Sequence, residues 1–290
     1  EIQTLIREKF PKKSIKRRNT GYALDALLEM QPFSPEGELF NLSKLIAGSE
    51  GTLAVVHAMK LNLLDLPEPE VALVCIHCQT LQESLLVNIE ALKHPILASE
   101  LVDEYILSFT EGHPNFEKDR DFIEGKPAAI LMVEFRASER GHLEKQVAAF
   151  IQSLQDQKLG YAYPILYGNE IAKGWDIRKA GLGLIRNLVG DTQPVNLIED
   201  CAVDPLDLPA YVAEIQALLA SHKTNAAYYA HAGAGELHIE PFINLKSAEG
   251  IALFRLLLTE TVEILKKYQG SLSGEHGDGR LRGEFIPALM

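Results

Sequence analysis

The sequence predicts an α+β fold of ferredoxin-like character, an antiparallel sheet with flanking helices. Three observations carry this expectation: strand patterns alternate with amphipathic helices from residue 71 onward, further strand patterns intervene, and no low-complexity repeat interrupts them. Pattern alone leaves a parallel α/β sheet open. At 290 residues and 47% hydrophobic the chain can bury a real core, as one large domain or two smaller ones.

Residues 1 to about 30 predict a short helix, a basic turn, then Asn19-Thr20-Gly21 and the amphipathic stretch YALDALLEM, which Pro32 and Pro35 end. Leu42, Leu45 and Ile46 mark a second short helix, Gly48-Ser49-Glu50-Gly51 a tight turn, and Thr52 to Leu61 a strand. Leu66-Pro67-Glu68-Pro69 is a natural boundary. Beyond it Val71 to His77 reads as a strand, and Thr80 caps a helix to about Leu92, with Glu83 three residues on. Ala129 to Arg136 is the next strand. Glu139 to Gln157 follows as a helix with Leu143, Val147, Phe150, Ile151 and Leu154 on one face. Strands at Ala226 to Ala230 and Leu237 to Phe242 precede a long helix, Ser247 to Tyr268, whose apolar side runs from Ile251 through Leu253, Phe254, Leu257, Leu258 and Val262 to Leu265.

The formal charge of −12, from 28 basic and 40 acidic side chains, argues against a broad nucleic-acid footprint. It leaves room for a small anion held by local arginines. The one basic run is Lys12-Lys13-Ser14-Ile15-Lys16-Arg17-Arg18. Cys75, Cys78 and Cys201 are too few and too scattered for a disulfide scaffold and suit a reducing, cytoplasmic setting. The C-x-x-C spacing of Cys75 and Cys78 lies within a strand pattern, which makes them buried small residues. No apolar stretch approaches the roughly 18 residues of a membrane-spanning helix.

Two stretches concentrate chemistry: His231-Ala-Gly-Ala-Gly235-Glu-Leu-His238 and Gly274-Glu275-His276-Gly277-Asp278-Gly279-Arg280. If residues 237–242 form a strand entered from a glycine turn, both imidazoles of the first stretch meet across it, and Glu275 completes a divalent-cation site. Two unrelated loop histidines remain the alternative on spacing alone. Glu275 and His276 diverge from a turning backbone, so one can ligate metal while the other, an imidazole with a pKa near 6.5, takes a proton. Arg178, beside Trp175, is a candidate carboxylate clamp, because a guanidinium fork matches two oxygens. Solvent-facing arginine is its alternative, as surface charge is for Arg280 and Arg282. The amides of Gly48 and Gly51, with the hydroxyls of Ser49 and Thr52, can contact phosphate or a polar ring edge around Glu50, though an ordinary turn accounts for them equally well. Glu199 and Asp200, adjacent acids after a strand-like VNLI, read as partners in a loop salt bridge to a basic residue or as contacts of the site.

In sequence order, Leu45-Ile-Ala-Gly48-Ser-Glu-Gly51-Thr-Leu, Trp175-Asp-Ile-Arg178-Lys, Ile198-Glu-Asp200-Cys-Ala-Val203, the His231 to His238 segment and Gly274-Glu275-His276-Gly277 together resemble the FAD-linked oxidase (vanillyl-alcohol-oxidase-like) family. Within it they resemble the D-2-hydroxyacid dehydrogenase branch, over essentially the whole chain. The resemblance implies that residues 1–64 are the C-terminal part of a flavin domain, 65–270 a substrate or cap domain, and 271–290 a tail returning toward the flavin. It implies that Gly48, Ser49, Glu50, Gly51 and Thr52 pack near FAD, and that His231, His238 and Glu275 hold zinc or manganese. His276 matches the proposed base, Arg178 a carboxylate-binding arginine, and Arg280 and Arg282 further substrate contacts.

Many members of the branch read H-x-G-D-G-N-x-H, where this chain has Ala234-Gly235-Glu236 before Leu237-His238. That form is close to a long-chain subgroup acting on D-2-hydroxyglutarate, in which a 4Fe-4S domain follows; D-lactate or glycolate is the alternative substrate. The absence of an initiating methionine and of flavin phosphate-binding and iron–sulfur motifs predicts an internal piece of such a protein, inactive and weak in FAD binding by itself. The resemblance implies a downstream electron acceptor and leaves room for oligomerisation and for peripheral membrane association of the full-length protein. From different classes, a flavin-independent metal hydrolase and a non-catalytic interaction module are the competing functions.

Overall fold

The computed structural model describes residues 1–290, the side chain of Leu182 excepted. Three short helices open the chain: α1 (Ile2–Lys9), α2 (Leu24–Leu28) and α3 (Ser43–Ala47). There follow β1 (Glu70–Cys78), α4 (Leu81–Ala91), β2 (Ile96–Asp103), α5 (Glu104–Thr110), β3 (Ala129–Ala137), α6 (Arg140–Gln157), β4 (Ile165–Tyr167) and α7 (Ile171–Leu184). The second half holds β5 (Gln193–Pro194), β6 (Ile198–Ala202), α8 (Leu208–Ser221), β7 (Ala226–His231), β8 (Glu236–Ile243), α9 (Ala248–Lys267), α10 (Gly279–Arg282) and α11 (Ile286–Leu289). Among the described residues no helix is long and apolar enough to cross a membrane.

One sheet runs through the molecule in the order β4-β1-β3-β2-β7-β8-β5, with β6 also on β8. Every strand pairing is antiparallel, which excludes the parallel alternative. The order β4-β1-β3-β2 with helices α4 and α6 is the ferredoxin-like arrangement. It is repeated: β6, α8, β7, β8 and α9 follow the same plan, and a single bridge from Ser271 to Ala202 stands where the fourth strand would be. The halves join through β2 and β7, at Leu101↔Ala230 and Val102↔Tyr229.

Local signals explain the elements. Thr80 accepts the Glu83 amide at 3.0 Å while the Glu83 carboxylate accepts that of Gln79 at 2.7 Å, a capping box that starts α4. Side chains alternate across each strand, so Ala72, Val74 and Ile76 meet α4 and α6 on one face, while Leu73 and Cys75 meet α5 and α7 on the other. In the second half Leu237 and Ile239 join Tyr211, Ile215, Leu257 and Leu258 beneath α8 and α9. The expected apolar side of α9 holds at Leu257, Leu258, Val262 and Leu265, whereas Ile251 is exposed. All three cysteines are buried and unbonded to one another.

The strand expected at Thr52 to Leu61 is absent. Residues 52 to 61 have no ladder partner among the described residues, and Val55 is 95% exposed. Its apolar alternation is real, but a strand needs a neighbour for its N–H and C=O groups. Nor do residues 1–64 build a separate layer: their one β contact is the isolated bridge Met30↔Glu38. They lie instead against the end of the second half, where the Lys12 amide donates to Gln269 O at 2.9 Å and that of Asn19 to Ser273 O at 2.8 Å.

Candidate active site

Strand periodicity brings the site together. In the β7–β8 hairpin His231 pairs with Glu236 and Tyr229 with His238, so all four side chains share the face opposite α8 and α9. One position beyond the Leu101↔Ala230 pair, Glu100 on β2 extends the row. The hairpin turn requires Gly235: its φ is +77°, and a Cβ there would lie 2.0 Å from Val203 O.

Two carboxylates orient the two histidines. His231 Nδ1 lies 2.9 Å from Glu100 Oε1, and His238 Nδ1 lies 3.0 Å from Glu199 Oε1. A carboxylate only accepts, so each Nδ1 carries the proton and each Nε2 keeps its lone pair. Arg178 of α7 pairs with Glu100 and lies 3.3 Å from His231 Nδ1; its own Nε is buried without an acceptor. One ligand atom from each of His231, Glu236 and His238 lies within 4.8 Å of the other two. Glu236 is fully buried and its Oε1, 3.8 Å from His238 Nε2, has no hydrogen-bond partner. Two imidazole lone pairs and a carboxylate with an unused oxygen fit zinc or manganese.

The loop after α9 closes over this group. Asp200, at φ +66°, accepts the amides of Glu275 and His276 at 2.8 and 2.9 Å and the Ser273 hydroxyl at 2.5 Å. The loop therefore turns about a buried acid. Glu275 Oε1 lies 3.7 Å from His231 Nε2 and 3.3 Å from His276 Nε2, and the rings of His276 and His238 stack at 5.6 Å. The His276 side chain is 49% exposed at the rim. Burial pushes the Glu236 carboxyl up to about 8, with Asp200 adding to the effect and Arg17 opposing it. Burial also works against ionised Asp200, yet bonds from Glu236, Ser273 and the loop amides hold its carboxyl below the usual range.

The structure thus gathers His231, His238, Glu275, His276 and Arg178. Arg282 is placed differently: it is buried, donates to the carbonyls of Glu199, Leu272 and Gly277, and pins the loop from within. Arg280 is exposed. In residues 48–52, Ser49 Oγ donates to Ile46 O at 2.8 Å, Thr52 Oγ1 to Ser49 O at 2.5 Å, and Glu50 accepts the amides of Asp278 and Gly279. An open cavity of about 490 Å³, walled by Phe10, Tyr22, Leu24, Ile286 and Met290, lies against this segment. Its apolar lining fits one side of a flavin ring; the polar groups of 48–52 supply wall and loop support. Glu100 carries no sequence signal of its role, and Arg17 shows in the sequence only as part of the lone basic run. Glu236 was visible as the departure from the common pattern.

Residues 67–289 match the family described as FAD linked oxidases, C-terminal domain, and the chain belongs to that family. Among individual proteins it is similar to the D-2-hydroxyglutarate dehydrogenase of Pseudomonas putida, at 32% identity over 98% of this chain and 28% of that protein. The enzyme of the same name from Pantoea ananatis is 30% identical over 100% of this chain and 28% of its own length. That from Haemophilus influenzae is 30% identical over 90% and 26% respectively. The chain thus spans little more than a quarter of the length of these relatives.

Proposed function

We propose that these residues are the substrate-handling part of a flavin-dependent dehydrogenase that oxidises a D-2-hydroxyacid, preferably D-2-hydroxyglutarate, to the 2-oxoacid. The observation that carries the reading is the half-exposed imidazole of His276, stacked on His238, whose Nε2 faces the buried Glu236 in one cluster with His231. The names of the similar proteins support the choice of substrate. Residues 1–64 are assigned to the flavin side, 65–270 to the substrate domain and 271–290 to the returning tail, in a cytoplasmic protein that also carries a 4Fe-4S domain and passes electrons to a downstream acceptor.

His231, His238 and Glu275, with Glu236 beside them, would hold zinc or manganese. When bound, the metal supplies a Lewis acid for the substrate's hydroxyl and carboxylate, and FAD the hydride acceptor. Arg178, part-exposed beside Glu100 and His231, is the residue placed to bind the substrate carboxylate. His276, with Glu275 Oε1 3.3 Å from its Nε2 and Glu199 Oε1 3.7 Å from its Nδ1, is the imidazole placed to take the proton of the 2-hydroxyl.

The test is His276→Asn in a polypeptide that joins these residues to a flavin domain. Turnover of D-2-hydroxyglutarate, followed by dye reduction, should fall by about 100-fold or more while the metal content is unchanged. An undiminished rate removes His276 from the role of base. Turnover of D-lactate or glycolate in place of D-2-hydroxyglutarate moves the substrate assignment.

A further inference from the structure

We propose that Arg17 is a positioning residue of the metal site. Its guanidinium spans the carboxylates of Glu236 and Glu275 and aims their remaining oxygens at the imidazoles. The inference rests on the metal reading above and deepens it, because Arg17 lies outside residues 67–289, the part of the chain that matches the family.

Arg17 NH1 lies 2.7 Å from Glu236 Oε2 and 2.8 Å from Glu275 Oε2. One cation therefore occupies one oxygen of each acid. The other oxygens point inward, Glu236 Oε1 at 3.8 Å from His238 Nε2 and Glu275 Oε1 at 3.7 Å from His231 Nε2. Without that shared donor neither carboxyl keeps the hydrogen bond that fixes its orientation.

Both partners are held in place. Arg17 belongs to a segment tied to the loop on either side of it: Lys12 N–H donates to Gln269 O, Asn19 Nδ2 donates to Glu275 O at 2.9 Å, and Ser273 N–H donates to Thr20 Oγ1 at 2.8 Å. Ile15, two residues before Arg17, is buried. Glu236 packs against Gly274, where a Cβ would stand 2.9 Å from its Cδ and push the carboxyl aside. An acid at 236 in place of an amide and a cation at 17 thus form one unit, built across 219 residues of sequence.

Electrostatics and positioning predict opposite signs, which makes the proposal testable. Removing a positive charge beside a dication site should tighten metal binding by Coulomb's law alone. Loss of a positioning contact should weaken it, by about 10- to 100-fold.

The measurement is the Zn²⁺ and Mn²⁺ affinity of the 290-residue chain by competition with a chromophoric chelator, with thermal melts alongside. Arg17→Met should bind 10- to 100-fold more weakly. Both contacts run through the single nitrogen NH1, so Arg17→Lys, which keeps the charge but sets its ammonium on a shorter, freely turning stem, should fall between it and the unmodified chain. On a Glu236→Gln background the loss caused by Arg17→Met should shrink, because half of the clamp is already gone.

Equal or tighter binding by Arg17→Met, or an undiminished loss on the Glu236→Gln background, overturns the proposal. Should Arg17→Met unfold, Arg17→Lys binding as tightly as the unmodified chain overturns it equally. Failure of the metal reading looks different: the unmodified chain then takes up neither ion, or His238→Asn binds like it.

Discussion

The two halves of the sheet share a plan and differ in what covers it. In the first half, Leu73, Cys75, Ile130 and Met132 face α5 and α7 and are sealed in a second apolar core. The same side of the second half carries His231, Glu236, His238 and Glu240, and a loop and the N-terminal segment cover it in place of a helix pair. One topology therefore yields a packed wall and a chemical wall. Histidine makes the contrast sharpest. Buried His77, on β1, uses Nδ1 on Cys75 O at 3.0 Å and Nε2 on the Glu124 amide at 3.2 Å, whereas His231 and His238 each commit Nδ1 to a carboxylate and keep Nε2.

Three experiments sharpen or break that contrast. The largest effect is expected from Asp200→Asn, which removes the acid about which the chemical wall's loop turns and leaves Arg282 without its buried counter-charge 3.6 Å away. A loss of about 3–5 kcal/mol in urea unfolding is expected, as for breaking a buried pair. A change of a few tenths would mean that the loop holds without it.

Next is the seam, where Asp103 accepts the amides of Ile106 and Tyr228, tying β2 to β7. Burial pushes its carboxyl up to about 7, against the pull of those N–H donors. Between its unfolded and folded pKa the native chain binds a proton that the unfolded chain lacks. The stability this group confers is thus full at pH below about 4 and is lost as pH rises through 7. Asp103→Asn should flatten the pH profile by on the order of 3 kcal/mol between pH 4.5 and 7. Parallel profiles would show that Asp103 titrates near its unfolded value.

The third compares the histidines. His238→Asn should weaken Zn²⁺ binding by more than about 100-fold, beyond the cost of losing an outer partner, while His77→Asn lowers the melting temperature and leaves affinity unchanged. Equal effects on affinity would erase the distinction between the walls.

Much of this was legible in the chain because its signals are local. Thr80 and Glu83 announced α4, and the runs at 71–77 and 129–136 announced strands that pair with each other. The meeting of His231, His238, Glu275 and His276 followed from glycine turns and the order of motifs. β2 was missed because Glu100 lies within it and breaks the apolar pattern, yet that residue orients His231 across 131 positions. Thr52 to Leu61 misled for the converse reason, having strand alternation but no partner. Arg17 could be seen only as charge, since its acids are supplied by strands and loops far along the chain.

Gly235 has a consequence for variation. A Cβ there would meet Val203 O at 2.0 Å and Pro205 at 3.1 Å, on a backbone with φ of +77°, whereas Gly141 and Gly183 face open space. In a library of all single substitutions, position 235 should be empty and 141 and 183 well populated. The turn between the two histidines is then a bottleneck for mutational drift: no one-step substitution leads through it, and descendants of this sequence that keep the site inherit the glycine unchanged.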